Sequence, residues 1–285
     1  MEFLRPTTWA DALQAKAERP GAVPIAGGTD LMVGLNFGEK PPEALLDLTH
    51  IPVLAEWDRS DGEVRLGAAV PYARIIAELA AEMPALAIAS RTVGSPQIRN
   101  RATVAGNLGT ASPAGDAHPP LLATGANVEA ESVRGLRLIP IDDFFLGVKR
   151  QALADDELIR AVRVPVAPGP QQFAKIGTRN AMVIAVCTVA VALDPGNRRV
   201  GTGIGSAAPT PRRAPDAESF AAESLPWAGG KLDDAVAHEF GARLAAAASP
   251  IDDVRGTADY RRQALAVLAR RALTWAWAEL VGGPR

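Results

Sequence analysis

The sequence predicts an α+β protein in two parts, and three observations carry that reading. Short strand-like runs alternate with helical patterns through the first 165 residues. The chain then breaks at Pro165-Val166-Ala167-Pro168-Gly169-Pro170. Beyond the break, apolar strand-like runs come first and long helical stretches follow. We therefore expect a first domain over residues 1–170, subdivided near residue 57 into 1–57 and 58–170, and a smaller α+β domain over 171–285.

In chain order, Pro6 to Ala17 reads as a helix, because Thr7 or Thr8 can cap a segment carrying Trp9, Leu13 and several alanines. Ala22 to Ala26 is a short strand that runs into Gly27-Gly28. Apolar residues resume at Leu31–Leu35, Pro41-Pro42 breaks them, and Ala44–Leu48 is a second strand. Val64–Ala68 alternates as a strand does. Tyr72–Glu82 and Met83–Arg91 read as helices, with Pro84 between their apolar stretches. Asn127–Ala130 and Arg134–Ile139 are strands, Ile141–Phe145 is a helical turn, and Glu157–Val164 is a strand ended by Pro165. After the break, Phe173–Ile176, Val183–Leu193 and Val200–Ile204 are buried strands. Ala207–Pro226 is a turn-rich connector, and Leu232–Ala247 and Tyr260–Leu280 are helices. Trp275 and Trp277 cannot share one helix face, so one is expected inside and the other at the surface.

Composition narrows the function. With 285 residues, of which 48% are hydrophobic, the chain can bury a sizeable core. A formal net charge of −2 and no basic stripe argue against nucleic acid. Cys187 is the only cysteine, and His50, His118 and His238 show no ligand spacing, so a metal redox centre would have to sit on another chain. The N-terminus has no signal-peptide pattern and no apolar run reaches membrane-spanning length, from which we expect a cytoplasmic protein without a transmembrane segment.

Two small-residue stretches stand out. One is Ala26-Gly27-Gly28-Thr29-Asp30-Leu31. The other runs from Thr103 through Gly106-Asn107-Leu108-Gly109-Thr110-Ala111-Ser112 to Asp116. Glycines let the backbone approach a ligand closely, and successive N–H groups form an anion-binding nest. Taken alone, Gly27 to Asp30 reads first as a turn that caps a helix. Two such stretches together can line one elongated cofactor, which makes a flavin or dinucleotide the first expectation. Gly201-Thr202-Gly203-Ile204-Gly205 lacks the spacing of a dinucleotide fingerprint. It reads instead as a strand whose glycines admit close backbone packing. Ser112, Asp116 and His118 are too crowded in sequence to converge as a catalytic triad.

These stretches, with Val93-Gly94-Ser95-Pro96-Gln97-Ile98-Arg99-Asn100, Lys175-Ile176-Gly177-Thr178-Arg179 and Asp252 to Arg261, resemble the FAD-binding medium subunits of molybdenum hydroxylases. That family includes the flavoprotein subunits of xanthine dehydrogenase and aerobic carbon monoxide dehydrogenase. The resemblance implies a two-part FAD-binding domain of the vanillyl-alcohol-oxidase (PCMH) type followed by a smaller C-terminal domain. It implies an oxidoreductase subunit that carries FAD, accepts electrons from [2Fe–2S] clusters of a small partner subunit and passes them to an external acceptor. A large molybdopterin subunit would oxidise the substrate, and the assembly would be a dimer of heterotrimers.

Carried onto this sequence, the resemblance implies that Ala26, Gly27, Gly28, Thr29, Asp30 and Leu31 wrap the pyrophosphate. Thr103, Gly106, Asn107, Thr110 and Ser112 would continue along the cofactor, with Asp116 on a hydroxyl near the flavin. Val93 would pack on the cofactor, Ile159 would touch the adenine end or the ring edge, and Lys175 would lie near the isoalloxazine. No residue is expected to serve as a nucleophile or metal ligand. Two departures are visible: Ala105 stands where many relatives have glycine, and Asn180-Ala181-Met182 offers no aromatic ring to cover the flavin. Two other readings stay open from the sequence. One is a self-sufficient FAD oxidoreductase of the same fold, and the other is a scaffold subunit without flavin.

Overall fold

A computed structural model of the chain describes residues 1–282. The first part opens with β1 (Glu2–Leu4), α1 (Trp9–Glu18), β2 (Val23–Ile25), α2 (Leu31–Asn36) and β3 (Ala44–Asp47). These strands form a small parallel sheet in the order β1-β3-β2. Thr8 is the cap of α1: its hydroxyl accepts the Asp11 N–H at 3.1 Å, satisfying one of the helix's free donors. The central strand β3 is buried throughout, as a parallel strand covered on both faces must be.

Next come β4 (Trp57–Ser60), β5 (Glu63–Gly67), α3 (Tyr72–Glu78), α4 (Pro84–Thr92), α5 (Pro96–Arg99), α6 (Val104–Thr110) and α7 (His118–Thr124). They are followed by β6 (Asn127–Ser132), β7 (Gly135–Pro140), α8 (Ile141–Phe144), the hairpin β8 (Phe145–Gly147) and β9 (Arg150–Gln151), and β10 (Leu158–Pro165). An antiparallel sheet forms in the order β4-β5-β10-β6-β7, so β10 returns to the centre of a sheet begun about one hundred residues earlier. One face packs Val64, Leu66, Val128, Ala130, Val162 and Val164 into the main core. The other face holds charge. Glu129, 1% exposed, accepts from the guanidinium of Arg65 at 2.6 Å and from that of Arg163 at 2.7 Å. The two arginines hold its carboxyl below the usual range against the opposing effect of burial.

The last part contains β11 (Gln171–Gly177), β12 (Ala185–Asp194) and β13 (Arg199–Gly205), an antiparallel meander. It ends with α9 (Pro215–Ser224), α10 (Asp234–Ala246) and α11 (Ala258–Gly282), which build a second core with the sheet. Trp277 is the buried tryptophan and donates its indole N–H to the Gly230 carbonyl at 2.9 Å, while Trp275 is half exposed. The expected connector after Ala207 contains α9, started by Pro215 at a position that needs no N–H.

Gly201-Thr202-Gly203-Ile204-Gly205 lies in β13 against α7. A Cβ on Gly201 would overlap the Ala123 carbonyl, and one on Gly203 the Pro119 carbonyl. Small residues continue this seam, with Ala85, Ala89, Ala123, Ala190 and Ala192 around Phe173. The glycines therefore serve close packing of helix on sheet. Among the described residues, no helix is long and apolar enough to cross a membrane, and no cluster of His, Cys, Asp and Glu is placed to hold a metal.

Candidate functional site: a cleft between two glycine-rich segments

The two motifs, some eighty residues apart, meet. The Gly27 backbone lies so close to the carbonyl of Arg101 that a Cβ there would overlap it. Gly28 has φ +70°, a left-handed conformation that glycine adopts without strain. Farther along, the Thr110 hydroxyl donates to Asp30 at 3.2 Å. Between the motifs runs a cleft of about 660 Å³, bounded on its remaining side by Lys149 and the segment Leu153–Ile159. That volume lies within the usual range for small-molecule sites.

Six of the expected residues line this cleft: Ala26, Asp30, Leu31, Gly106, Thr110 and Ile159. Gly27, Gly28 and Thr29 belong to the same loop. Ala105 also lines the cleft, so its methyl is accommodated at the wall. The second motif is more ordered than a loop. Thr103 is the N-cap of α6, 4% exposed, and its hydroxyl accepts the Gly106 N–H at 2.9 Å. Helix α6 ends at Ala111 in the left-handed conformation, φ +46°. The Asn107 side chain accepts from Ala117 N–H at 3.4 Å and the Ser112 hydroxyl from Ala114 N–H at 3.3 Å, so both brace the turn that leads to Asp116.

Asp116 and Lys175 form an ion pair. The Lys175 ammonium, on β11, donates to Asp116 Oδ2 at 2.5 Å and to the Thr92 carbonyl at 3.4 Å, and both side chains are more than nine-tenths buried. This pair joins the C-terminal sheet to the end of α4, one residue before Val93. Burial pushes the Asp116 carboxyl above the ordinary carboxylate range, and the lysine offsets part of that shift. Asp116 Oδ1 and the Tyr72 hydroxyl are buried without a hydrogen-bond partner, and burial, with the nearby Asp116 charge, raises the Tyr72 phenol. Val93 is partly buried against the main core at the C-terminal end of α4.

His118 has a structural place. It is fully buried, packs on Phe145 at 4.6 Å between ring centroids, and its Nε2 lies 3.2 Å from the Asn107 carbonyl. Burial lowers it to about 4, so it is neutral near pH 7 and its Nε2–H donates to that carbonyl. Met182 marks the stretch lacking an aromatic cover: it is exposed with φ +50°, and Arg179 donates to its carbonyl and to that of Ala181.

Several residues of the cleft wall were outside the sequence expectation, among them Lys149, Leu153 and Phe37. Lys149 sits at the turn of a hairpin whose strands are only three and two residues long, too short for periodicity to reveal.

Comparison with known proteins agrees with this architecture. Residues 1–167 match the FAD binding domain in molybdopterin dehydrogenase, and residues 172–276 match the CO dehydrogenase flavoprotein C-terminal domain. The chain is 31% identical over 283 residues to the nicotine 6-hydroxylase medium subunit of Paenarthrobacter nicotinovorans, covering 98% of each. It is 33% identical over 234 residues to a putative xanthine dehydrogenase FAD-binding subunit of Escherichia coli (strain K12), covering 77% of this chain and 78% of that one. A chain of carbon monoxide dehydrogenase from Hydrogenophaga pseudoflava superposes with a TM-score of 0.89 at 28% identity, covering 98% of both. The two-domain α+β architecture is that of a PCMH-type FAD-binding domain with a smaller C-terminal domain, and the chain belongs to the FAD-binding flavoprotein family of molybdopterin dehydrogenases, oxidoreductases of the xanthine dehydrogenase and carbon monoxide dehydrogenase type.

Proposed function

We propose that this chain is the FAD-carrying electron-transfer subunit of a molybdopterin-dependent hydroxylase or dehydrogenase. It receives electrons from [2Fe–2S] clusters on a small partner subunit and passes them to an external acceptor. A large molybdopterin subunit oxidises the substrate, within a dimer of heterotrimers. The observation that carries the reading is the single cleft lined by both glycine-rich motifs. The residues present fit the cofactor. Ala26, Asp30 and Leu31 line the cleft from the loop whose tight path Gly27 and Gly28 permit, and a side chain at Gly27 would collide with Arg101. Outside the cleft lining, Asp116 keeps Oδ1 buried without a hydrogen-bond partner, an acceptor for which the cofactor would supply a hydroxyl.

In this account the loop Ala26–Leu31 wraps the pyrophosphate, and Gly106 and Thr110 line its continuation. Asp116 and Lys175 lie toward the flavin end. Bound FAD supplies storage for two electrons. The protein's part is to hold it, exclude water and set its electrostatics. Lys175 brings a positive charge whose partner, Asp116, fixes its position. Titration of the purified chain with FAD, followed by quenching of flavin fluorescence, tests the reading. One saturable site per chain is expected, and no saturable binding would refute it.

A further inference from the structure

We propose that Lys149 is the cationic partner of the cofactor's pyrophosphate, and that it tunes the cleft for FAD over a flavin without phosphate. This rests on the reading of the cleft as the FAD site. The argument starts from charge. Four carboxylates line the cleft, Asp30, Glu39, Asp155 and Glu157, against two ammonium groups, Lys16 and Lys149. A pyrophosphate brings two further negative charges. Glu157 is neutralised by Arg137 at 2.7 Å, but Asp30 meets only the Thr110 hydroxyl. Entry of a dianion into such a cleft is favoured by a cation that is free to meet it, beside the backbone N–H groups of the loop.

Lys16 is not free. Its ammonium donates to the carbonyls of Pro20 at 2.6 Å and Ala22 at 2.8 Å, and it is 7% exposed. It closes the turn after α1. Lys149, by contrast, makes no ion pair or side-chain hydrogen bond among the described residues, and it is exposed. Its backbone is nonetheless fixed. It holds φ +54°, unusual for a residue with a side chain, and its N–H donates to the Ala111 carbonyl at 3.1 Å. That bond ties the hairpin turn to the end of α6, where Gly109 and Thr110 line the cleft. The left-handed conformation belongs to the tight hairpin turn, and that turn holds an unpaired cation at the cleft wall.

A charge-assisted hydrogen bond of this kind corresponds to about ten- to a hundredfold in affinity. The test compares Lys149→Gln with the unaltered full-length chain, titrating FAD and riboflavin at two salt concentrations and recording the melting temperature of each. The expected result is about tenfold or greater loss of FAD affinity, unchanged riboflavin affinity, a weaker salt dependence and an unchanged melting temperature. Unchanged FAD affinity in the variant, or equal losses for FAD and riboflavin, would overturn the inference. An unaltered chain that binds neither flavin would instead refute the FAD reading of the cleft, and the inference with it.

Discussion

At the level of single residues, the Asp116–Lys175 pair decides most. The sequence resemblance implies both residues as cofactor contacts, and the structure joins them to each other across the two parts of the molecule. Removing one partner of a buried pair leaves the other charge uncompensated, at a cost of about 3–5 kcal/mol. Lys175→Met is therefore expected to lower stability in urea by about that amount, and the second change Asp116→Leu to recover much of it. The pH dependence follows from the direction of the Asp116 shift. Its folded pKa is raised, so its contribution is fully present below the unfolded carboxylate pKa and is lost as pH rises through the folded one. In Lys175→Met, with nothing to offset burial, that loss should move to higher pH and steepen. Urea midpoints across the pH range check both statements, and a variant as stable as the parent at neutral pH would contradict them. From sequence alone Asp116 and Lys175 were legible as polar residues in motifs. Their mutual pairing was not, because it depends on how β11 meets the end of α4.

At the level of elements, the glycines of β13 show how little space separates helix α7 from the sheet. Gly203 faces the Pro119 carbonyl directly, and neither backbone can retreat without moving its element. Gly203→Ala is expected to destabilise the chain by about 1–3 kcal/mol through overpacking, with FAD affinity changed little, because the seam is separate from the cleft lining. Thermal unfolding with and without FAD checks this, and an unchanged melting temperature would contradict it. The seam was readable in advance because close packing is the ordinary use of glycine in a strand. The longer elements were readable too: α1, α4, α10 and α11 and strands β5, β10 and β12 stand close to where periodicity places them. Short elements were not. Helices α6 and α7 fall in a stretch rich in Gly, Pro and Ser, residues that signal turns, yet Thr103 caps the first and the proline pair of the second occupies its opening turn. The same shortness concealed the β8–β9 hairpin and with it one wall of the cleft.

At the level of the whole molecule, separate cores and a shared seam support one cleft that opens between motifs distant in sequence. The first motif sits after β2 and the second spans α6, so neither forms a site without the other. This is why the sequence could suggest the cofactor only through the two motifs together, and why the residues of the facing wall needed the fold to be found. The central claim is that this cleft carries FAD within a larger electron-transfer assembly. The most direct measurement is an absorption spectrum of the tagged chain isolated under mild conditions from its native host, with flavin extracted and counted per chain. The account predicts one FAD per chain and iron–sulfur absorbance from companion subunits. An intact complex that contains this chain but no flavin would contradict it.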